Sequence, residues 1–217
     1  MTLAELRADL KRRLDEASGS GVYFGTEDLN EAINAGYLEL SDVTEWNEQS
    51  LGIPVLHDRQ YYDLFSLIGP RFLSIRPIFD EQTSHWLIPT PVHTLDAGDP
   101  RWERVEGRPH RTFVRGLRWL GIYPRALEAD GTYLKVVHTA LPPVMVEDTD
   151  EPGFPETFHV GCVLFALFDL FAQDGETQLA IQALKDYQAV EDALGAWVNR
   201  RMQRPDLVVM GASTGPR

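Results

Sequence analysis

Apolar residues recur at helical spacing near both ends of the chain and at strand-like spacing between them. Leu3, Leu6, Leu10 and Leu14 form one stripe, which predicts a helix from Leu3 to about Ala17 with Lys11, Arg12 and Arg13 toward solvent. Thr2 and Glu5 have the spacing at which a hydroxyl and a carboxylate satisfy each other's backbone amides at a helix start. Ser18 to Gly21 reads as a break. Thr26 then offers an N-cap, Glu27 and Asp28 suit the positive end of the helix dipole, and Leu29, Ile33, Tyr37 and Leu40 continue a second helix that should end between Val43 and Asn47.

From Leu51 the period changes. Gly52, Pro54, Pro70, Pro77, Pro89, Pro91, Pro100, Pro109 and Pro124 interrupt the chain too often for long helices. The β-branched and aromatic runs Gln60–Leu64, Phe72–Phe79, His85–Ile88, Arg111–Val114, Trp119–Tyr123 and Thr132–Thr139 predict short antiparallel strands. Asp130-Gly131 is a hairpin signal, because it readily supplies positive φ angles. Trp86, Trp102 and Trp119 are expected to fill this lobe or brace its loops. After Pro142-Pro143 comes an acidic loop, then a helix opened by Pro155-Glu156 that is apolar nearly all round and therefore central. Asp174-Gly175 breaks it, and a last helix runs from Glu176 to Arg204, where Pro205 stops it. The expected fold is α+β: mainly a helical bundle built from both chain ends, with four main helices and an inserted small antiparallel β lobe. Its expected parts are N-terminal helices (1–50), the β lobe (51–143), C-terminal helices (144–204) and an extended docking tail (205–217).

Charge changes the picture more than composition does. The chain of 217 residues, 43% hydrophobic, can bury a good core without disulfides, and its net charge of -13 argues against general nucleic-acid binding. That charge is sorted along the chain. Asp15–Asp58 and Val136–Leu184 contain no Lys or Arg, whereas Arg101, Arg104, Arg108, Arg111, Arg115, Arg118 and Arg125 share their window only with Glu103 and Glu106. Like charges on separate segments repel within a segment and attract between segments, which favours ordered assembly over catalysis. The arginine series could track a phosphate backbone, with Trp102 and Phe113 as stacking surfaces. It could also grip an acidic partner, which the chain itself supplies, and that reading is preferred. Glu39, Asp42 and Glu45 on the second helix are the complementary candidates at a subunit interface with Arg101, Arg104, Arg108 and Arg111. Leu207, Val208, Val209 and Met210 form an apolar patch near the C-terminus, expected to dock on a neighbour.

Candidate chemistry is sparse. His57, His85, His93, His110, His138 and His159 include no pair at a metal-ligand spacing, and His159 with Cys162 would supply only two ligands, so no metal or cofactor is expected. Cys162 lies in an apolar run and reads as a buried thiol, with a reducing cytosolic history. Met1–Leu14 has no apolar core of a signal peptide, and no stretch reaches the length of about 20 apolar residues for a membrane span. Paired carboxylates leave one enzymatic alternative, a cell-wall glycan hydrolase.

The order Tyr23-Phe24-Gly25-Thr26-Glu27-Asp28-Leu29-Asn30-Glu31-Ala32-Ile33-Asn34 resembles the opening helix of tailed-phage head-to-tail connector proteins, also called neck or portal adaptors. Gln60–Leu64, Phe72–Arg76, Gly107-Arg108-Pro109, Leu120–Pro124 and Phe154-Pro155-Glu156 continue the resemblance in order, from Val22 to Asn199. The resemblance implies a non-enzymatic virion protein in the neck between capsid and tail, assembled in the host cytoplasm. It implies a dodecameric homo-oligomeric ring under the portal protein, bound also to a downstream tail or neck protein, with no membrane partner. Genomic DNA would pass through the lumen without specific binding during ejection. Under that reading Glu147, Asp148, Asp150 and Glu151 are candidate channel-facing acids, since carboxylates repel phosphates.

Overall fold

The computed structural model describes residues 1–18, 24–116, 118–127 and 133–202. The chain forms two compact units. One comprises Met1–Trp46 together with the chain from Pro142 onward, the other Asn47–Leu141.

The first unit is helical. Helix α1 (Leu3–Ser18) buries Leu3, Leu6, Leu10 and Leu14, and the expected reciprocal cap forms: Thr2 N donates to Glu5 Oε2 at 2.9 Å and Glu5 N to Thr2 Oγ1 at 3.3 Å. Arg12 and Arg13 both turn back onto Asp9, as i,i+3 and i,i+4 neighbours. Helix α2 (Thr26–Thr44) starts one residue away from the expected cap. Gly25 is the N-cap, and Asp28 Oδ2 accepts its amide at 2.8 Å, so a first-turn carboxylate does the work expected of the Thr26 hydroxyl. The helix ends where Glu45 turns left-handed (φ 47°) and its amide returns to Ser41 O.

After a 3-10 turn (Glu156–Phe158), helix α5 (Val160–Gln173) packs against α1, α2 and α6 (Thr177–Met202). The segment Glu156–Gln173 has the length and mean hydropathy (1.2) of a marginal membrane span, and half of it is buried inside the fold. The α2–α5 approach depends on Gly36, where an added Cβ would sit 2.8 Å from Cys162 O and 2.9 Å from Phe165 Cβ. At this crossing backbone meets backbone, and any larger residue would push the helices apart. Gly175 (φ 79°) supplies the left-handed turn between α5 and α6.

The second unit contains all described strands, from β1 (Glu48–Pro54), β2 (Tyr61–Asp63) and β3 (Phe72–Ile75) through β4 (Phe79–Asp80), β5 (His85–Trp86) and β6 (Ile88–Pro89). They continue as β7 (Glu106–Gly107), β8 (Arg111–Arg115), β9 (Trp119–Tyr123), β10 (Arg125–Ala126) and β11 (Tyr133–Ala140). One sheet has the order β1-β11-β4-β5, with β3 also on β11; a second has β2-β9-β8-β6; β7 and β10 pair by themselves. Ile53, Val55, Tyr62, Leu64, Ile78, Leu87, Leu120, Ile122, Leu134 and Val136 form its main core. Leu95, Trp102 and Phe113 form a smaller one.

Several expectations change here. The lobe is not wholly antiparallel: β6–β8 and β7–β10 pair in parallel. Parallel pairing requires a crossover, and the β6–β8 crossover contains a helix that the proline density concealed, α4 (Val92–Gly98), with Pro91 at its N-cap. Leu64 leaves the expected strand and opens the four-residue helix α3 (Leu64–Leu67), because Asp63 caps it by accepting from Phe65 N and Ser66 Oγ. The described residues thus form six α-helices, two of them short and in the middle of the chain. Pro77 splits Phe72–Phe79 into β3 and β4. Strand β1 lies where Gly52 and Pro54 predict an interruption, yet both are tolerated on a strand with one neighbour among the described residues. Among the three tryptophans only Trp102 is interior; Trp86 and Trp119 are exposed. The Asp130-Gly131 turn and most of the Ser18–Gly21 break lie outside the described residues.

Candidate assembly surfaces

The arginine window is largely satisfied within its own unit, by carboxylates distant in sequence. Arg118 grips Asp63 with a two-pronged contact (Nε to Oδ1 2.9 Å, Nη2 to Oδ2 2.5 Å) and lies over the rings of Phe65 and Trp119. This fork holds the Asp63 carboxyl well below the usual carboxylate range. Arg125 bridges Asp58 (2.6 Å) and Glu106. Arg115 faces Glu103 at 3.6 Å, and that carboxylate also accepts from Tyr61 Oη at 2.9 Å; burial, then the Glu103 contact, push the Tyr61 phenol up. Arg108 reaches Gln82 Oε1 at 3.0 Å and the buried Asp80 at 3.5 Å. The window alone shows Glu103 and Glu106 as its acids, but folding adds Asp58, Asp63 and Asp80.

Arg101 and Arg104 differ. Both sit at the 3-10 turn Trp102–Arg104, are exposed, and have no ion pair among the described residues. Arg111 is half-buried with its Nε unpartnered. The stacking surfaces of the nucleic-acid reading do not exist as expected: Trp102 and Phe113 pack edge to face at 5.0 Å inside the small core, with Trp102 Nε1 donating to Asp96 Oδ1.

On the helical unit, Glu31, Glu39 and Asp42 of α2 are exposed and have no ion pair among the described residues, whereas Glu45 has a partner. The acidic loop is a built element rather than a free tether. Asn34 clasps the backbone of Met145 from both sides, Nδ2 donating to its carbonyl at 2.9 Å and Oδ1 accepting its amide at 2.8 Å. Arg7 donates to Asn30 Oδ1 (3.1 Å) and to Asp148 Oδ1 (2.6 Å). The loop in turn caps α1, since Leu3 N donates to Asp150 O and Ala4 N to Asp148 O. Asp150 accepts from Val146 N and Glu147 N, and these bonds lower its pKa. Of the four candidate channel acids, Asp148 and Asp150 therefore organise the loop, while Glu147 and Glu151 are exposed. Sequence patterning assigns no separate role to the clasp residues Arg7, Asn30 and Asn34. Their signal was the pair of asparagines four apart on a helix otherwise patterned for burial. Leu207, Val208, Val209 and Met210 lie outside the described residues.

Catalytic geometry finds little to work with. Cys162 is fully buried and its thiol is pushed up to about 12, which suppresses the thiolate. His159 is buried with Nε2 against Phe154 O at 2.8 Å. Among the described residues no three His, Cys, Asp or Glu side chains come together as a metal site. Among the described residues the carboxyls Asp63 and Asp150 are held below the usual range, the direction opposite to that of a glycosidase general acid.

A family model described as SU10 adaptor protein matches residues 1–210 of the chain. No match was found among curated proteins.

Proposed function

The chain belongs to the SU10 adaptor protein family, whose members are structural adaptors of phage particles, and from that premise we propose that its copies form a ring under the portal, around the DNA channel. In this reading the ring offers the attachment surface for the next tail component, and the site of action is the virion neck. The observation that carries it is the pair of unmatched charge sets: exposed Arg101 and Arg104 on one unit, exposed Glu39 and Asp42 on the other, none with an ion pair among the described residues. A head-to-tail ring presents a different surface to each neighbour, so one copy's guanidinium groups meet the next copy's carboxylates. Glu147 and Glu151 then contribute negative charge toward the lumen, where it repels DNA phosphates and lets the genome slide. The segment Leu207–Met210 docks on the portal or on a neighbouring copy as assembly proceeds. Electron micrographs of the purified protein, alone and mixed with its portal, test the proposal. Rings coaxial with the portal support it, and a chain that stays monomeric and unbound under both conditions overturns it.

A further inference from the structure

Strand β1 is seven residues long and pairs with β11 on one side only. Its register runs from Glu48↔Thr139 to Pro54↔Tyr133, and Ala140 N donates to Asn47 O just before it. That bond sets the phase of the ladder: in an antiparallel pair the hydrogen-bonding residues alternate, so Gln49, Leu51 and Ile53 bond toward β11. The amides and carbonyls of Glu48, Ser50 and Gly52 therefore point away from the sheet, and none has a backbone partner among the described residues. Natural sheets protect such edges with charged side chains, prolines, bulges or inward charges, and β1 has Glu48 and Pro54 only at its two ends. Between Gln49 and Ile53 this strand has none of them, and Leu51 at the rim of the main core is only half-buried.

The chain also contains a segment with the chemistry to complete that edge. Fifteen residues follow Met202, the last described. Within them Leu207-Val208-Val209-Met210 is β-prone, uncharged and bounded by Pro205 and Gly211. At about 3.3 Å per residue, the five residues from Met202 to Leu207 span up to about 16 Å and the eight to Met210 about 26 Å, a reach suited to a copy lying beside the end of α6. We propose that the Leu207–Met210 segment of one copy adds as a strand to the free edge of β1 in a neighbouring copy. Main-chain bonds to Glu48, Ser50 and Gly52 supply affinity, and alternate apolar side chains extend the core past Leu51. This rests on the ring reading above and names where the tail docks.

Disulfide trapping tests it, with Cys162 left in place because its burial keeps it inert. Gln49 is exposed, and its position opposite an added strand is the close, non-hydrogen-bonded kind that a disulfide spans. Full-length Q49C is mixed with L207C, V208C, V209C or M210C in turn, under conditions where wild-type copies associate, on the portal if association needs it. The expected result is covalent dimers at alternate positions, either L207C and V209C or V208C and M210C, at least tenfold above the pair of Q182C with V208C. Equal trapping at all four positions, trapping no better than that control, or bonds formed only within one chain of a double variant would overturn the proposal. Two further variants separate it from the ring reading. S50P removes an outward amide while sparing the β11 ladder, and should weaken association as much as deleting 206–217. If the deletion weakens association and S50P and S50K do not, the tail docks elsewhere and only the β1 assignment falls; if the deletion changes nothing, tail docking falls with it.

Discussion

Replacing Asn34 with alanine should uncouple the acidic loop from the helical unit. The side chain makes two hydrogen bonds to the Met145 backbone, at 2.8 and 2.9 Å, in a part-buried position. Truncation leaves the Met145 amide and carbonyl short of partners, at about 1–2 kcal/mol each. The Met145 side chain, 5% exposed, loses burial if the loop lifts. Because Asp148 O and Asp150 O cap the first turn of α1, that turn frays too. The expected loss is about 2–4 kcal/mol in urea unfolding followed by circular dichroism, with faster amide exchange at Leu3, Ala4 and Val146–Asp150. N34D sharpens the test. It keeps the acceptor for Met145 N but sets a carboxylate against Met145 O, so it should cost more than N34A near neutral pH and recover partly on acidification, when the carboxyl regains a proton to donate. A loss under about 0.5 kcal/mol for N34A with unchanged exchange in the loop would refute the clasp.

Two further outcomes follow from the middle unit. His138 is buried in β11 and burial pushes its pKa below the ordinary 6.5, so the unfolded chain binds the extra proton first. Stability is then full above pH 6.5 and falls as pH drops toward the lowered folded value, by at most about 1.4 kcal/mol per pH unit; H138Q should flatten that part of the stability–pH curve, and an unchanged slope would contradict the assignment. Gly121 pairs across strands with Phe113, and an added Cβ would lie 2.1 Å from the Phe113 ring, which is held by Trp102 and Tyr61. G121A should therefore cost about 1–3 kcal/mol in thermal unfolding and G121A/F113L less than the sum of its singles; additive losses would show that the ring is free to move.

Long periodic segments were legible in the sequence because one face decides them: the Leu3–Leu14 stripe and the all-round apolar run of α5 have a single way to be buried. The middle was harder for a physical reason. Strands of two residues such as β4, β5 and β10 have no period to read, and α4 hides behind prolines that are compatible with a helix start. Charge sorting was visible, but its meaning was partly obscured. A window of seven arginines looks unmatched until folding brings Asp58, Asp63 and Asp80 beside it, and among the described residues this leaves the exposed Arg101 and Arg104 and the half-buried Arg111, not Arg108, without an ion pair. The clasp on the acidic loop joins residues more than a hundred positions apart, so no local pattern could reveal it.

In the proposed ring, opposite charges on two surfaces of this chain join its copies. Charge-swap sedimentation tests it most directly: R101E/R104E, E39K/D42K and the combined variant are compared with wild type in an analytical ultracentrifuge, with the portal present if rings form only there. Each double reversal should weaken association at least tenfold, about 1.4 kcal/mol, while leaving the fold intact by circular dichroism, and the combination should restore it. An oligomer distribution unchanged by either reversal, or a combined variant no better than its parents, would contradict the account.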